Sequence, residues 1–141
     1  MHAIIDTNII IYDTIEDSMH HQESQELLNK LSGWIVPSIV MYEYIWFFRE
    51  LKYNASQVND LLQGRISHPK CKIVADDLTY TQNALNLCIS NNFSLSRFND
   101  MVILSVAKKK NYPILTYDNK LRKNAKSLNI EVIPKEIEKR D

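Results

Sequence analysis

Four acidic residues of this sequence stand where a solvated carboxylate is not expected. Asp6 and Asp118 each follow an apolar run of strand character. Glu43 lies within an almost continuous apolar stretch, and Asp100 opens a mostly apolar helical segment. A carboxylate in apolar surroundings is costly unless it is paired or coordinates a metal. If the fold brings the four acids together, they would raise one another's pKa strongly unless a cation neutralises them.

The ligand chemistry of such a cluster indicates which cation it would bind. Carboxylate oxygens suit hard divalent cations, so the four acids predict a Mg²⁺ site in which Mn²⁺ can substitute. Magnesium held by carboxylates keeps several waters and accepts phosphate oxygens, which suits in-line displacement at phosphorus. Zinc is disfavoured because the sequence offers no His and Cys set for a tetrahedral site. The adjacent His20 and His21 would point in different directions on a helix and are interpreted as solvated.

Each acid also has a structural interpretation that involves no site. Asp6 would cap the turn after its strand, as Asp often does. Glu43 would lie on the surface between exposed tyrosines, and Asp100 would complement the dipole of the helix that it opens. The paired Asp76 and Asp77 are interpreted in this last way, as charges at a helix start. For the four site candidates, the decision depends on the elements that position them.

Strands and helices alternate along the chain. Short apolar runs predict strands at 3–5, 34–36, 72–74, 113–116 and 131–133. Helical spacing predicts helices at 18–32, 39–52, 54–66, 78–90, 100–110 and 119–128, with Ser18 and Ser38 as caps of the first two. The acidic stretch 13–17 and the polar stretch 91–99 are predicted as loops.

This alternation predicts an α/β fold, a three-layer sandwich around a mainly parallel central sheet. In open sheets of this kind, ligands bind outside the carboxyl ends of the strands. If the first and fourth strands are neighbours, Asp6 and Asp118 emerge at the same edge, and a helix that begins near that edge could add Asp100.

Length and composition exclude several classes of protein. The 141 residues fit one domain, residues 1–141, with a charged tail from about residue 135. The only two glycines, Gly33 and Gly64, exclude a Walker loop and a dinucleotide-binding fingerprint. No apolar run approaches the roughly 20 residues that cross a bilayer, and no signal segment opens the sequence. We therefore expect a cytoplasmic protein without a membrane contact.

The net charge is zero, but its distribution along the chain is uneven. Residues 1–96 hold 6 Lys and Arg against 11 Asp and Glu, whereas residues 97–141 hold 11 against 6. This asymmetry permits a polyanionic partner such as nucleic acid, although lysine-rich helix faces are usually only solvated. The basic helix after Asp118 and the lysines after Ala107 could hold a phosphodiester chain next to the acids.

Four short motifs follow one another along the sequence. They are Ile5-Asp6-Thr7-Asn8, Ser38-x4-Glu43, Phe98-Asn99-Asp100-x6-Ala107 and Leu115-Thr116-Tyr117-Asp118. In this order and at these spacings they resemble the motifs of PIN-domain ribonucleases, and above all those of the short VapC-like toxins of toxin–antitoxin pairs. The resemblance extends from residue 3 to about residue 133. Each motif alone is weak, but the four together form a specific signal.

The resemblance implies a site, an activity and partners. The metal-binding acids of the family map onto Asp6, Glu43, Asp100 and Asp118, and its supporting polar residues map onto Asn8 and Thr116. The implied activity is that of a Mg²⁺- or Mn²⁺-dependent endoribonuclease that leaves a 5′-phosphate and a 3′-hydroxyl on the RNA. The implied partners are the RNA substrate, a small antitoxin over the acidic pocket and a second copy in a homodimer. The aromatic excess of helix 39–52 also favours a homodimer through this helix.

Two positions depart from the family pattern. Many relatives have Gly in the turn before the strand that begins at Pro113, where this chain has Asn111, a residue that tolerates left-handed backbone. Relatives sometimes carry a further acid shortly after the one that matches Asp118. Asn119 supplies no charge here, which leaves the occupancy of a second metal open.

Two other functions remain open on the sequence. One is a non-catalytic PIN-like domain that binds RNA or a protein, although the presence of all four acids argues against it. The other is an Asp-based phosphotransfer domain that would use Asp6. Such a domain needs a second acid beside the first, and Thr7 and Asn8 occupy the places where that acid would stand.

Overall fold

A parallel five-stranded sheet forms the centre of the computed structural model, which describes residues 1–137. Its strands are β1 (His2–Ile5), β2 (Gly33–Pro37), β3 (Cys71–Val74), β4 (Ile114–Leu115) and β5 (Val132–Ile133). They lie in the order β3-β2-β1-β4-β5, and every neighbouring pair is parallel. Residues 138–141, the end of the predicted charged tail, lie outside the described residues.

Seven α-helices in the described part of the chain connect and cover these strands. They are α1 (Thr7–Thr14), α2 (His21–Lys30), α3 (Ser38–Glu50), α4 (Ala55–Ile66), α5 (Leu78–Asn91), α6 (Phe98–Lys110) and α7 (Asn119–Ser127). Ala3, Ile4 and Ile5 of β1 are almost fully buried, although successive side chains of a strand point to opposite faces of the sheet. Both faces are therefore covered, and the predicted three-layer α/β sandwich is confirmed.

The sequence prediction lacked helix α1. The Asp6 backbone is extended, and its carboxylate accepts a hydrogen bond from the Thr7 amide, so Asp6 caps a helix that begins directly after β1. Ile9 and Ile10 are buried on this helix, and Asp13, predicted in a loop, is part of it and forms an ion pair with Arg65. An isoleucine run without a clear polar face carries little helical periodicity, and for this reason the prediction missed α1.

Three other helices begin away from their predicted starts. Helix α2 begins at His21 and not after Ser18, whose hydroxyl donates to two carbonyl oxygens of the preceding segment. Helix α3 already includes Ser38, whose hydroxyl donates to a carbonyl oxygen at the end of β3 and does not cap the helix. Helix α6 begins at Phe98, so Asp100 lies within its first turn.

Two predictions about helix ends are confirmed. The Asp77 carboxylate caps α5 by accepting a hydrogen bond from the Tyr80 amide at 3.1 Å, as expected for an acid at a helix start. Asn111 ends α6 in the left-handed conformation, with φ 56° and ψ 44°. Asn111 therefore makes the turn before β4 without a glycine.

The register of β1 and β4 places the candidate residues at one edge of the sheet. Ile5 pairs with Leu115, and the Asp6 amide donates to the Leu115 carbonyl oxygen at 3.0 Å. The first and fourth strands are therefore neighbours, which was the condition for Asp6 and Asp118 to emerge at the same edge. Asp6 and Thr116, which follow the two strands, lie side by side at the carboxyl edge of the sheet.

The helices of this fold are short. The longest, α5, has 14 residues. Among residues 1–137, no helix has both the length and the apolar character needed to span a membrane.

Candidate active site

Asp6 lies at the centre of the carboxyl edge and is only 6% exposed. Its Oδ1 accepts a hydrogen bond from the Thr7 amide at 2.8 Å. Its Oδ2 accepts one from the Thr116 hydroxyl at 2.7 Å and one from the Asn8 side-chain amide at 3.1 Å. Asp6 is therefore both the cap of α1 and a buried acid at the carboxyl edge, so the two interpretations of this residue do not exclude each other.

Asn8 and Thr116 join the ends of β1 and β4. The Asn8 side-chain amide also donates to the Thr116 hydroxyl oxygen at 3.2 Å. The side-chain oxygen of Asn8 accepts a hydrogen bond from the backbone amide of Tyr117 at 3.2 Å. The Thr116 hydroxyl oxygen accepts in turn from the Asp118 amide at 3.0 Å. The two residues predicted to support the site thus contact Asp6, and Thr116 also links it to the backbone of Asp118.

Glu43 approaches the same edge from α3. Its Oε1 accepts a hydrogen bond from the Thr7 hydroxyl at 2.8 Å, and the side chain is partly buried. Burial raises the pKa of Glu43, against the lowering effect of the Thr7 hydrogen bond. The neighbouring tyrosines are not both exposed, because Tyr42 is 62% exposed and Tyr44 is fully buried. The interpretation of Glu43 as a surface acid between exposed tyrosines was wrong.

The remaining two acids lie at helix starts beside the edge. Asp100 is partly buried in the first turn of α6, and Asp118 is exposed and caps α7 by accepting from the Leu121 amide at 3.0 Å. Burial and the charges of Asp118 and Glu43 raise the pKa of Asp100 to about 6. The charges of Arg97 and Lys120 lower the pKa of Asp100 less strongly.

The four predicted acids are electrostatically coupled to one another. Burial raises the pKa of Asp6 to about 7, even though the hydrogen bonds from Thr116 and Thr7 lower it. The charges of Glu43 and Asp100 contribute smaller parts of this rise in the pKa of Asp6. Burial is therefore the main cause of the shift, and the two charges that contribute to it most are both negative. The surroundings of Asp6 therefore disfavour its charged form.

The donor set of this edge fits a hard divalent cation. No three His, Cys, Asp or Glu side chains of residues 1–137 converge closely enough to enclose a metal ion. Magnesium does not require such an enclosure, because it is usually bound through one or two carboxylates and keeps several waters. Carboxylates that repel one another, as Asp6, Glu43 and Asp100 do, are suitable donors for such an ion.

Tyr117 is a residue of this region that the sequence prediction did not single out. Its hydroxyl donates to the Glu23 carboxylate of α2, and its ring stacks on His20 with centroids 4.1 Å apart. Burial, and next the Glu23 hydrogen bond, raise the pKa of Tyr117. Tyr117 therefore holds the segment between Thr116 and Asp118 against α2. His20, interpreted as solvated, instead packs on this ring.

Two further contacts of the site were not predicted. Thr7 lies in a predicted motif, but only the structure shows that its hydroxyl holds Glu43. Arg122, one of the basic residues of α7, is 5% exposed and donates to the Thr116 carbonyl oxygen at 2.8 Å. A polar residue between two motif positions signals Thr7 in the sequence, whereas no local signal distinguishes Arg122 from the exposed lysines beside it.

Comparison with known protein families decides the class of this fold. The model of the PIN domain matches residues 3–127, which is most of the chain. This chain belongs to the PIN domain family. The resemblance predicted from the four motifs is thereby confirmed. Among curated protein sequences, none matches this PIN domain.

Solved structures with the same fold include toxins and toxin–antitoxin complexes. The sarcin–ricin loop cleaving toxin VapC20 of Mycobacterium tuberculosis has a TM-score of 0.70 and 14% identity, over 86% of this chain and 93% of that chain. VapBC2 of Rickettsia felis, bound to a DNA fragment from its promoter, has a TM-score of 0.66 and 22% identity, over 94% and 97%. A toxin–antitoxin complex of Klebsiella pneumoniae has a TM-score of 0.61 and 18% identity, over 85% and 89%. At these identities the similarity establishes the fold, which is VapC-like.

Proposed function

We propose that this PIN domain is a Mg²⁺- or Mn²⁺-dependent endoribonuclease, the toxin of a toxin–antitoxin pair, acting in the cytoplasm. The observation that carries the proposal is the buried Asp6, held by three hydrogen bonds and subject to the charges of Glu43 and Asp100. A set of coupled carboxylates on the carboxyl edge of a parallel sheet is suited to phosphodiester hydrolysis with a divalent cation.

Each residue of the edge has a distinct task in this proposal. Asp6, Asp100 and Asp118 would hold the cation, one or two of them directly and the others through waters that the cation keeps. The cation, when bound, lowers the pKa of a coordinated water and stabilises charge on the phosphate. Asn8 and Thr116 fix the orientation of the Asp6 carboxylate through their hydrogen bonds.

Glu43 has the task of a further ligand or a base. The Thr7 hydroxyl occupies Oε1 of Glu43, which leaves Oε2 for a cation or for the proton of the attacking water. Water attacks phosphorus directly, so no covalent intermediate forms, and the products carry a 5′-phosphate and a 3′-hydroxyl.

Cleavage of RNA by purified protein tests the activity. With Mn²⁺ or Mg²⁺, the wild type should cut single-stranded RNA, and EDTA should stop the reaction. Asp100→Asn should reduce the rate at least about 100-fold, whereas Asp60→Asn, a change at an exposed acid of α4, should leave it unchanged. Equal cleavage by the Asp100 variant would show a contaminating nuclease and overturn the assignment.

Two alternatives are separated by the same preparations. Calorimetric binding of Mn²⁺ without cleavage of any tested RNA would favour a non-catalytic domain that binds RNA or protein. Incorporation of phosphate from a phosphoryl donor into Asp6 would favour phosphotransfer. Thr7 and Asn8 stand where a phosphotransfer domain would need its second acid, which argues against this second alternative.

We further propose a homodimer through α3 and its neighbours. We also propose an antitoxin that covers the acidic edge, meaning the carboxyl edge of the sheet with Asp6, Glu43, Asp100 and Asp118. Tyr44 and Phe48 of α3 are fully buried, but Tyr42 and Trp46 are each 62% exposed, more apolar surface than a monomer usually leaves on one helix. A toxin–antitoxin complex among the similar structures supports the antitoxin. Light scattering at micromolar concentration should give twice the chain mass for the wild type and the single mass for Trp46→Ser. A monomeric wild type would refute the dimer.

A further inference from the structure

Three lysines form a stripe along the exposed face of α7. Lys120, Lys123 and Lys126 follow one another at spacings of three residues, and all three side chains are exposed. The opposite face of the helix is buried and consists of Leu121, Arg122, Asn124 and Ala125. The lysine stripe, meaning these three lysines, therefore has a fixed orientation on the surface, extending about 9 Å along the helix axis at about 1.5 Å per residue.

No lysine of the stripe forms an ion pair within the described residues. Helix α7 contains no Asp or Glu, and in the part of the chain from 1 to 137 the ion pair that forms is that of Arg65 with Asp13. Like charges three or four residues apart destabilise a helix by a few tenths of a kcal/mol. An acid-free row of lysines is therefore not explained by the stability of α7.

Other lysines of the basic half have structural contacts that the stripe lacks among the described residues. The Lys108 ammonium donates to the Leu128 carbonyl oxygen at 3.2 Å, and that of Lys109 lies 5.0 Å from the centre of the Tyr80 ring. These contacts account for two members of the lysine run after Ala107, which the sequence also offered as an RNA contact. Lys110 has no such contact among the described residues, but it ends α6, about 15 Å from the turn that carries Asp100 at about 1.5 Å per residue.

The stripe begins at the acidic edge. Asp118 caps α7, so Lys120 lies in the first turn of that helix, and its charge lowers the pKa of Asp100 while burial, Asp118 and Glu43 raise it. The buried Arg122 ties the same turn to the Thr116 carbonyl oxygen, so the helix that carries the lysines is held against the site. The other two lysines continue the row away from the acids.

We propose that the lysine stripe binds the phosphate backbone of single-stranded RNA on one side of the bond that is cut, an inference that rests on the proposed nuclease function. Phosphates are complementary in charge to an unpaired row of lysines, and such contacts position a chain without selecting its sequence. An acidic protein segment would also be attracted by the lysines, but the row leads directly into a cluster of carboxylates that would repel it. A phosphodiester chain suits both places, because its reacting phosphate would lie at the acidic edge while the phosphates beside it contact the lysines.

Binding of a fluorescein-labelled RNA of mixed sequence, about 12 nucleotides long, tests the proposal. Fluorescence anisotropy in EDTA at about 50–300 mM KCl separates binding from cleavage. Lys123→Gln/Lys126→Gln should lower the slope of log K against log[KCl] by about 0.7 per lysine and weaken binding roughly 25-fold at about 0.1 M salt. The matched control Lys109→Gln/Lys110→Gln removes the same charge outside the stripe and should change the affinity less than about 2-fold.

The outcomes distinguish this inference from the proposed function. If stripe and control variants bind RNA equally, or if the wild type does not bind the RNA, the stripe proposal is wrong even where RNA is cleaved. If the wild type cuts no RNA but binds it through the stripe, the nuclease proposal fails and the stripe stands. Loss of binding to a decaglutamate peptide with unchanged RNA binding would assign the stripe to a protein partner and overturn the proposal. Unchanged thermal unfolding of both variants is the control for folding.

Discussion

Replacing Asp6 by Asn should change the pH dependence of folding stability in the metal-free protein. A carboxyl group with a pKa higher in the folded than in the unfolded state binds more protons when folded. Its contribution to stability is fully present below the unfolded pKa and is lost as the pH rises through the folded pKa. For Asp6, this contribution to stability is lost over a pH window from about pH 4 to about pH 7. Asp6→Asn removes the titrating group and with it this loss.

The size of the effect follows from the burial of Asp6. A pKa raised from 3.8 to about 7 corresponds to a loss of up to about 4 kcal/mol across the window, at about 1.4 kcal/mol per pH unit. In Asp6→Asn, the new side-chain NH₂ group would face a hydrogen-bond donor, of either Thr7 or Asn8, and this conflict costs about 1–3 kcal/mol at every pH. We therefore expect the variant to be close to the wild type at about pH 5 and more stable at about pH 8, a relative gain of about 2.5 kcal/mol.

Urea unfolding followed by circular dichroism measures this difference. Wild type, Asp6→Asn and the surface control Asp60→Asn are compared in EDTA at constant ionic strength, at several values between about pH 5 and about pH 8. The free energy of unfolding of Asp60→Asn should change with pH in the same way as that of the wild type. At the upper end of this range, about 10 mM Mg²⁺ should stabilise the wild type, by RT ln(1 + [Mg²⁺]/Kd), and not Asp6→Asn.

A constant difference between Asp6→Asn and wild type across this pH range would refute this reasoning. It would mean that the buried carboxylate does not carry an uncompensated charge. The buried charge of Asp6 would then not favour a cation at the acidic edge, although the fold and the family would be unaffected.

Three other predictions concern residues around the site. Thr116→Val should lower the free energy of unfolding by about 1–3 kcal/mol. Thr116→Ser should lower it by clearly less, because Ser keeps the hydroxyl that bonds Asp6. Equal losses for the two variants in urea unfolding would contradict this prediction. Tyr117→Phe removes the hydroxyl that bonds Glu23 and should lower the free energy of unfolding by about 1 kcal/mol and weaken Mn²⁺ binding in calorimetry. The control Tyr42→Phe should change neither. Unaltered stability and Mn²⁺ affinity of Tyr117→Phe would show that the Glu23 contact does not support the site. Glu43→Gln should lower kcat more than Mn²⁺ affinity if Glu43 acts as base, and equal loss of both would make it a ligand.

Several elements of the fold could be predicted because their signals are local. The run 3–5 and the run before Thr116 have no polar side, which is typical of strands buried on both faces. Asn111 and Asp77 act through their own backbone, so a turn and a cap could be recognised from single residues. Helix α1 was missed because its isoleucines are largely covered by the rest of the protein, and periodicity identifies only helices that keep a polar face.

The sequence by itself determined the family and the order of the strands, and it singled out the four acids as candidates for a site. Motif spacing preserves these features, since a strand end and a helix start remain at fixed positions in the chain. Only the tertiary structure decided that Asp6 accepts hydrogen bonds from both Asn8 and Thr116, and that Tyr117 is held by Glu23. The partners in these contacts are as much as 110 residues apart. Burial, and with it the raised pKa of Asp6, is a property of the packed molecule, because the protein that surrounds the carboxylate comes from every layer of the sandwich.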